Sequence, residues 1–323
     1  MPVISGGGRG WRAPVGRGLG LLVLAAWTLD LAPAASDTAP SLAAAPPTGA
    51  LQSYALAAPD LHVALPARLA EVSGVTALSD TEVACVQDED GVVFVFDLAR
   101  RRVTRQMPFG PPGDYEDIAR MGSRLFVLRS DGALFDIQGL AGTPPVKVRV
   151  LRLPTADNEG LCLDERHRRL LIAPKSRLGK GRTFKDTRAV FAFDLERAAL
   201  QPEPVIVLSV DALRAFAERQ GRQAPDRPQK GGGKPRPVLR FMPSALAVHP
   251  VTSEIFVVSA IDRVLATFDM TGGVTGYAAL DPGLFRQPEG LTFLANGDLV
   301  ITNEAAGGRP TLLLFKQKGR ALP

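Results

Sequence analysis

Residues 287–304 read Gln-Pro-Glu-Gly-Leu-Thr-Phe-Leu-Ala-Asn-Gly-Asp-Leu-Val-Ile-Thr-Asn-Glu, two short apolar runs bounded by Pro, Gly and Asp. Runs of this length, rich in β-branched and aromatic residues and punctuated by turn formers, favour strands over helices. The opening motif, an acid or Ser followed by a small residue and then apolar ones, occurs five times. The other instances are Val72-Ser73-Gly74-Val75, Tyr115-Glu116-Asp117-Ile118, Asn158-Glu159-Gly160-Leu161 and Pro243-Ser244-Ala245-Leu246. Successive copies are 43, 43, 85 and 45 residues apart, and the double step contains an insertion at about 209–240.

Each copy is followed by the same sequence of strands. A second apolar run comes next (Glu82 to Val86, Arg124 to Leu128, Arg169 to Ala173, Glu254 to Val258, Asp298 to Thr302). A third run ends in Phe96-Asp97, Phe135-Asp136, Phe193-Asp194 and Phe268-Asp269, with Phe315 alone in the fifth unit. A weaker fourth run follows in most units, as at Lys147 to Leu151 and Pro204 to Leu208. Four short strands in about 40–45 residues is the period of a propeller blade. The sequence therefore predicts an all-β fold over 51–318, a five-bladed β-propeller of four-stranded antiparallel blades. The insertion at 209–240 is expected to hold a short helix (Leu213, Phe216 and Ala217 at helical spacing, Gly221 after it) and a Lys/Gly/Pro-rich loop. The fifth unit lacks a fourth strand, and Ser53 to Ala58 is expected to supply it, closing the ring with both chain ends and removing exposed sheet edges.

Composition agrees with this reading. Of 323 residues, 46% are apolar and 22% charged, which excludes a long disordered chain, and the 32 Gly and 27 Pro suit many turns. Residues 1–36 are set apart: Arg9, Arg12 and Arg17 precede an apolar run from Leu19 to Leu29, and Ala32-Pro33-Ala34 offers a cleavage site. This is the layout of a secretory signal peptide, and the run is shorter than the roughly 20 residues of a membrane span. Residues 37–50 read as a flexible linker. The expected location is the periplasm, or the inner membrane if the leader is retained as an anchor. Cys85 and Cys162 lie in separate apolar runs and are expected to be buried free thiols.

In a propeller the innermost strand of each blade lines a central channel, so the repeated motif becomes a ring at one mouth: Ser73, Glu116, Glu159, Ser244 and Glu289. Second strands end near the same mouth, bringing Asp88, Glu89, Arg129, Lys175, Asn303 and Glu304 there, while Glu71 stands two residues ahead of the ring. Converging carboxylates must hold protons, recruit Arg or Lys, or bind a cation. Hard oxygen donors suit Ca²⁺ or Mg²⁺ rather than zinc. Three readings stay open: carboxylates paired with Arg129 and Lys175, a divalent cation, or catalytic acids. The candidate metal ligands are Glu116, Glu159, Glu289, Asp88, Glu89 and Glu304, and the candidate ligand-binding residues are Lys175, Arg129, Asn303 and Glu71. No His reaches the ring, because His167 and His249 fall in turns of the opposite face and His62 precedes the first unit, so Ser-His or Cys-His nucleophilic catalysis has no base there.

Several stretches carry a family resemblance. They are LPARLAEVSGVTAL (65–78), QDEDGVVFVFDL (87–98), GDYEDIA (113–119), DNEGLCLD (157–164), RLLIAPK (169–175), PSALAVHPVTSEIFVVS (243–259) and QPEGLTF…GDLVITNE (287–304). In order and content the chain from about Leu65 to Phe315 resembles the SdiA-regulated, YjiK-type β-propeller family of exported bacterial proteins. The resemblance implies a propeller that responds to calcium, and at greater distance it is similar to the calcium-binding β-propeller phytases.

Net charge is +5, but it is unevenly placed. Residues 175–188 carry six cations and one acid, residues 209–240 eight cations and three acids, and the leader three Arg and one Asp, leaving −7 for the rest of the chain. Both basic segments open on the face of the acidic ring. Two readings of these segments stay open: solvated loops that at most touch anionic lipid or polysaccharide, and a binding face for an anionic small molecule, an envelope component or a protein partner. Peripheral membrane contact suits either, and no nucleic acid is expected. Two functions follow: a non-catalytic, calcium-binding module, or a calcium-dependent phosphoesterase.

Overall fold

Each repeat folds into one antiparallel sheet whose strands follow one another outward from the channel. Blade 1 is Val72–Ala77, Glu82–Gln87, Val92–Asp97 and Arg102–Pro108, and blade 2 is Tyr115–Met121, Arg124–Arg129, Ala133–Gln138 and Val146–Val150. Blade 3 is Asn158–Asp164, Arg169–Pro174 and Thr187–Asp194, its outer position shared by Ala199–Leu200 and Ile206–Ser209. Blade 4 is Ala245–Val248, Ile255–Ser259, Val264–Phe268 and Val274–Ala279. The protein is a five-bladed β-propeller in this computed structural model, which describes residues 49–319 apart from 156, 180, 182, 183 and 229–233. The expected leader at 1–36 and the expected linker up to residue 48 lie outside the described residues.

Blade 5 joins the chain ends: Pro288–Phe293, Leu299–Asn303 and Thr311–Phe315 are completed by Leu61–Ala64, with Leu61 opposite Leu314 and Ala64 opposite Thr311. Closure by the N-terminal segment is as expected, but the strand lies later than Ser53 to Ala58. Those residues do a different job. Ala50–Ser53 is a 3-10 turn whose Ala50 amide donates to Glu254 Oε2 at 2.7 Å, so the last residue of the expected linker is packed. Tyr54 then plugs blades 4 and 5, its hydroxyl donating to the Gly297 carbonyl at 2.6 Å and lying 3.0 Å from His249 Nε2. An apolar run that fills a gap between blades cannot also lie along an edge.

The core lies between blades. Inner strands pack side to side around the full circle, including blade 5 against blade 1. Val93 and Val95 of blade 1 cluster with Leu125, Val127 and Phe135 of blade 2, and comparable clusters fill the other gaps. Burying each such side chain contributes roughly 1.5–3 kcal/mol. Middle strands are thus apolar on both faces, whereas the outer strand Arg102–Pro108 alternates exposed and shielded residues. The Phe-Asp repeat has a division of labour. Phe96, Phe135, Phe193 and Phe268 are buried, while Asp97, Asp194 and Asp269 accept backbone amides of the next turn at 2.7–3.0 Å. Asp136 instead grips Arg124 through both of its oxygens.

The insertion begins with the helix Val210–Arg219, capped by Ser209 accepting the Ala212 amide at 3.1 Å. Val210, Leu213, Phe216 and Ala217 form its buried face, and Gly221 ends it at φ +66. A two-stranded ribbon, Asp226–Arg227 with Arg236–Pro237, follows. Its exit is anchored by buried Asp262 of blade 4, which accepts from Arg227 at 2.6 Å, the Phe241 amide at 2.7 Å and Ser259 at 2.9 Å. Cys85 and Cys162 are free and buried. Among the described residues no helix is long and apolar enough to cross a membrane.

Candidate functional site

The ring residues stand where they do because each inner strand opens on a β-bulge. Pairing with the second strand skips one residue between Val72 and Gly74, Tyr115 and Asp117, Asn158 and Gly160, and Pro288 and Gly290. The skipped residues are Ser73, Glu116, Glu159 and Glu289. A bulge re-aims the extra side chain out of the alternation, so one local device delivers four ring positions. Ser244, just ahead of the blade 4 strand, is the fifth. The two serines are staples between blades: Ser73 donates to the Tyr115 carbonyl at 2.6 Å and Ser244 to the Pro288 carbonyl at 3.0 Å. Each bonds the residue before the next blade's glutamate.

The glutamates meet little positive charge. Lys175 Nζ lies 2.7 Å from Glu159 Oε1, and its charge also acts on Glu116, Glu289 and Glu304. Even so, burial raises Glu159 to about 7, against the pull of Lys175. Glu116 is pushed up to about 9, by burial first and then by Glu159 and Asp114. Burial, with Glu289, Asp88 and Glu71 behind it, lifts Glu304 to about 8. Asp88 rises to about 7 through burial and a hydrogen bond shared with Glu71. Glu289 is also raised by burial, while Lys175, Gln287 and Ser244 counter the shift. Glu71, Asp88, Glu304, Glu289, Glu159 and Glu116 therefore form one continuous acidic arc with Lys175 set into it.

Other expected members stand apart. Arg129 gives both Nε and Nη2 to Asp131, at 3.0 and 2.8 Å, and lies over the Phe135 ring, so its charge is spent within blade 2. Glu89 is exposed, on the rim. Asn303 is buried and donates to Thr311 Oγ1 at 3.0 Å, along its own blade.

The oxygens fit a hard cation in kind. Glu289 Oε2, Asp88 Oδ1 and Asn303 Oδ1 are buried acceptors with no donor, and an acceptor without a donor inside a protein is costly. The donors are not yet gathered: among the described residues no three acidic, His or Cys groups stand together as a metal cluster. Holding a cation here requires the carboxylates to give up protons and close on one point.

No protein-family model and no curated protein matches the chain. Among solved structures, it is similar to glutaminyl cyclase of Myxococcus xanthus, at 14% identity and a TM-score of 0.53, covering 80% of this chain and 95% of that one. It is also similar to a luciferin-regenerating enzyme (10% identity, 81% and 96% covered, TM-score 0.48) and to a streptogramin B lyase (9%, 79% and 97%, 0.48). The likeness is one of fold.

One central residue escaped the motif reading. Where blades 1, 3, 4 and 5 have Gly74, Gly160, Ala245 and Gly290, blade 2 has Asp117, fully buried near the channel. It accepts the amides of Leu161 at 2.7 Å and Ile118 at 2.8 Å, and also that of Val75, tying blades 1, 2 and 3 together. Burial pushes its carboxyl well above the usual range although these amides pull the other way. The break in an otherwise small-residue column was the available signal.

Proposed function

We propose that this protein is a non-catalytic binding propeller that takes a divalent cation, calcium foremost, at the acidic mouth, together with an anionic ligand or protein partner on the same face. The observation that carries this is the acidic arc itself: four buried or half-buried carboxyls at about 7 to about 9 beside, among the described residues, a single lysine. Carboxyls that keep protons near neutral pH because burial first, and one another's charge second, disfavour ionisation are matched to an added positive charge. Glu116, Glu289, Glu304 and Asp88 would hold the ion, which supplies the charge that one lysine does not. Lys175 neutralises Glu159 meanwhile, and Gln287 orients Glu304 by hydrogen bonding. The resemblance to exported SdiA-regulated propellers and the leader read at 1–36 support a periplasmic setting, or an inner-membrane one if the leader is retained.

A calcium-dependent phosphoesterase is the second reading, favoured by Lys175 standing among the acids, where it could meet a phosphate. Calorimetric titration with calcium is expected to show binding by the native protein and at least tenfold weaker binding by Glu116→Gln/Glu289→Gln. Binding with no turnover of a phosphomonoester panel supports the module. Turnover that is lost in Glu159→Gln selects the esterase, and absence of calcium binding removes both.

A further inference from the structure

Beside the acidic mouth lies a pocket of opposite charge. The strand-joining segment after Lys175 and the exit of the insertion enclose about 220 Å³, lined by Lys175, Arg177, Lys185, Arg188 and Arg240, with Asp186 the one acid of the lining among the described residues. Asp186 is itself turned toward Arg214, 3.6 Å away. Arg188 is the unusual member. It is 3% exposed at the start of blade 3's third strand. Its Nη1 donates to the carbonyls of Thr187 at 2.6 Å and Lys185 at 3.3 Å, and its Nη2 to that of Arg240. Its Nε is buried with no acceptor, and among the described residues no carboxylate pairs with it. Burial and the neighbouring Arg177 pull its pKa down, and Asp186 and Asp262 offset that only in part.

A guanidinium taken out of water without a counter-charge is expensive. Carbonyl dipoles on two of its nitrogens fix its plane, and Asp186 and Asp262, neither bonded to it, compensate the charge only in part. Three further cations at the pocket wall, Arg177, Lys185 and Arg240, repel it and one another. An oxyanion answers all of this at once, since Arg presents a planar fork matched to phosphate and carboxylate oxygens. Lys175 lines this pocket and also bonds Glu159 of the acidic arc, so the two sites share a side chain.

We propose that this pocket is an oxyanion site for a phosphoryl group, with Arg188 as its buried anchor and Arg177, Lys185 and Arg240 as its closing cations. The proposal rests on the reading of the ring face as a binding face, and it names where the anionic part of the ligand sits. A ligand bearing a phosphoryl group in this pocket would reach the acidic mouth across Lys175, so the face reads as one site with an anionic and a cationic end.

The test uses the full chain, inorganic phosphate, and sodium chloride at matched ionic strength. Phosphate at about ten times its dissociation constant is expected to raise the unfolding midpoint by about 2–4 °C over chloride. In Arg177→Gln/Arg240→Gln, two exposed side chains whose loss spares the fold, phosphate binding is expected to weaken at least tenfold. Arg188→Met is expected to abolish it. Calcium titration of the same variants should match the native protein, which separates failure here from failure of the acidic mouth. Sedimentation with vesicles of phosphatidic acid and phosphatidylcholine identifies the source. Binding that is lost in the double variant means a lipid headgroup, and phosphate binding without vesicle binding means a free phosphorylated ligand. A phosphate response no larger than that of chloride, or one unchanged in the double variant, overturns the proposal.

Discussion

At the residue scale, the acidic arc makes the protein's stability depend on pH in a defined direction. Glu116 and Glu304, raised to about 9 and about 8, keep protons in the fold that an unfolded chain has lost above its ordinary carboxyl value of 4.5. The folded state therefore binds more protons across that interval. Stability is greatest below it and declines as pH rises toward 9, by at most about 1.4 kcal/mol per pH unit for each proton retained. Asp88, nearer to water, contributes less because solvent screens it. Urea unfolding midpoints measured from pH 5 to 9 should fall, and Glu116→Gln, which cannot ionise, should flatten the decline above pH 7. An identical slope in the variant would mean that Glu116 is not held protonated. Lys175, also raised, works in the same sense but only above its own higher ordinary value, so its contribution is retained throughout this range.

At the element scale, the inner strand is the unit that builds the site, since its bulge sets the ring residue and its next position sets how closely blades approach. A Cβ on Gly74 would lie 2.5 Å from Asp117 Cα and 2.9 Å from the Ile118 amide, both backbone atoms of the adjacent blade. Gly74→Ala is therefore expected to cost about 1–3 kcal/mol in urea unfolding, and a neutral result would mean that the blades can part there. Alanine occupies the matching position only in blade 4, where no bulge is recorded. Strands and ring residues were legible because the repeat is local: a small residue after a Ser or Glu, then apolar runs and Phe-Asp, all within one blade. What escaped depends on contacts between distant segments. Leu61–Ala64 and Ser53 to Ala58 are both short and partly apolar, and only the gap beside Phe256 and Phe293 decides that Tyr54 becomes a plug. Arg129 was correctly placed at a strand end, yet Asp131 two residues later captures it. Arg188 was one cation in a charged segment, and its burial arises where blade 3 meets the exit of the insertion.

At the scale of the whole molecule, the two ends of the channel differ in chemistry. The end opposite the ring opens into a cavity of about 310 Å³ of mixed lining, in which Val75, Leu161 and Leu291 alternate with Thr76, Arg120 and Glu165. The ring end carries the acidic arc and, beside it, the basic pocket. A net charge of +5 thus describes neither surface, and one face concentrates the uncompensated groups of both signs. In the function proposed above, a cation completes this face. The direct measurement is the thermal unfolding midpoint at pH 8 in calcium chloride against sodium chloride of equal ionic strength. At pH 8 part of the arc is already ionised, so a bound ion both adds binding energy and relieves repulsion. Calcium at about a hundred times its dissociation constant should add about 2.7 kcal/mol, several degrees in the midpoint, and the gain should vanish in Glu116→Gln/Glu289→Gln. A midpoint that calcium leaves unchanged, or raises equally in that variant, would contradict the claim.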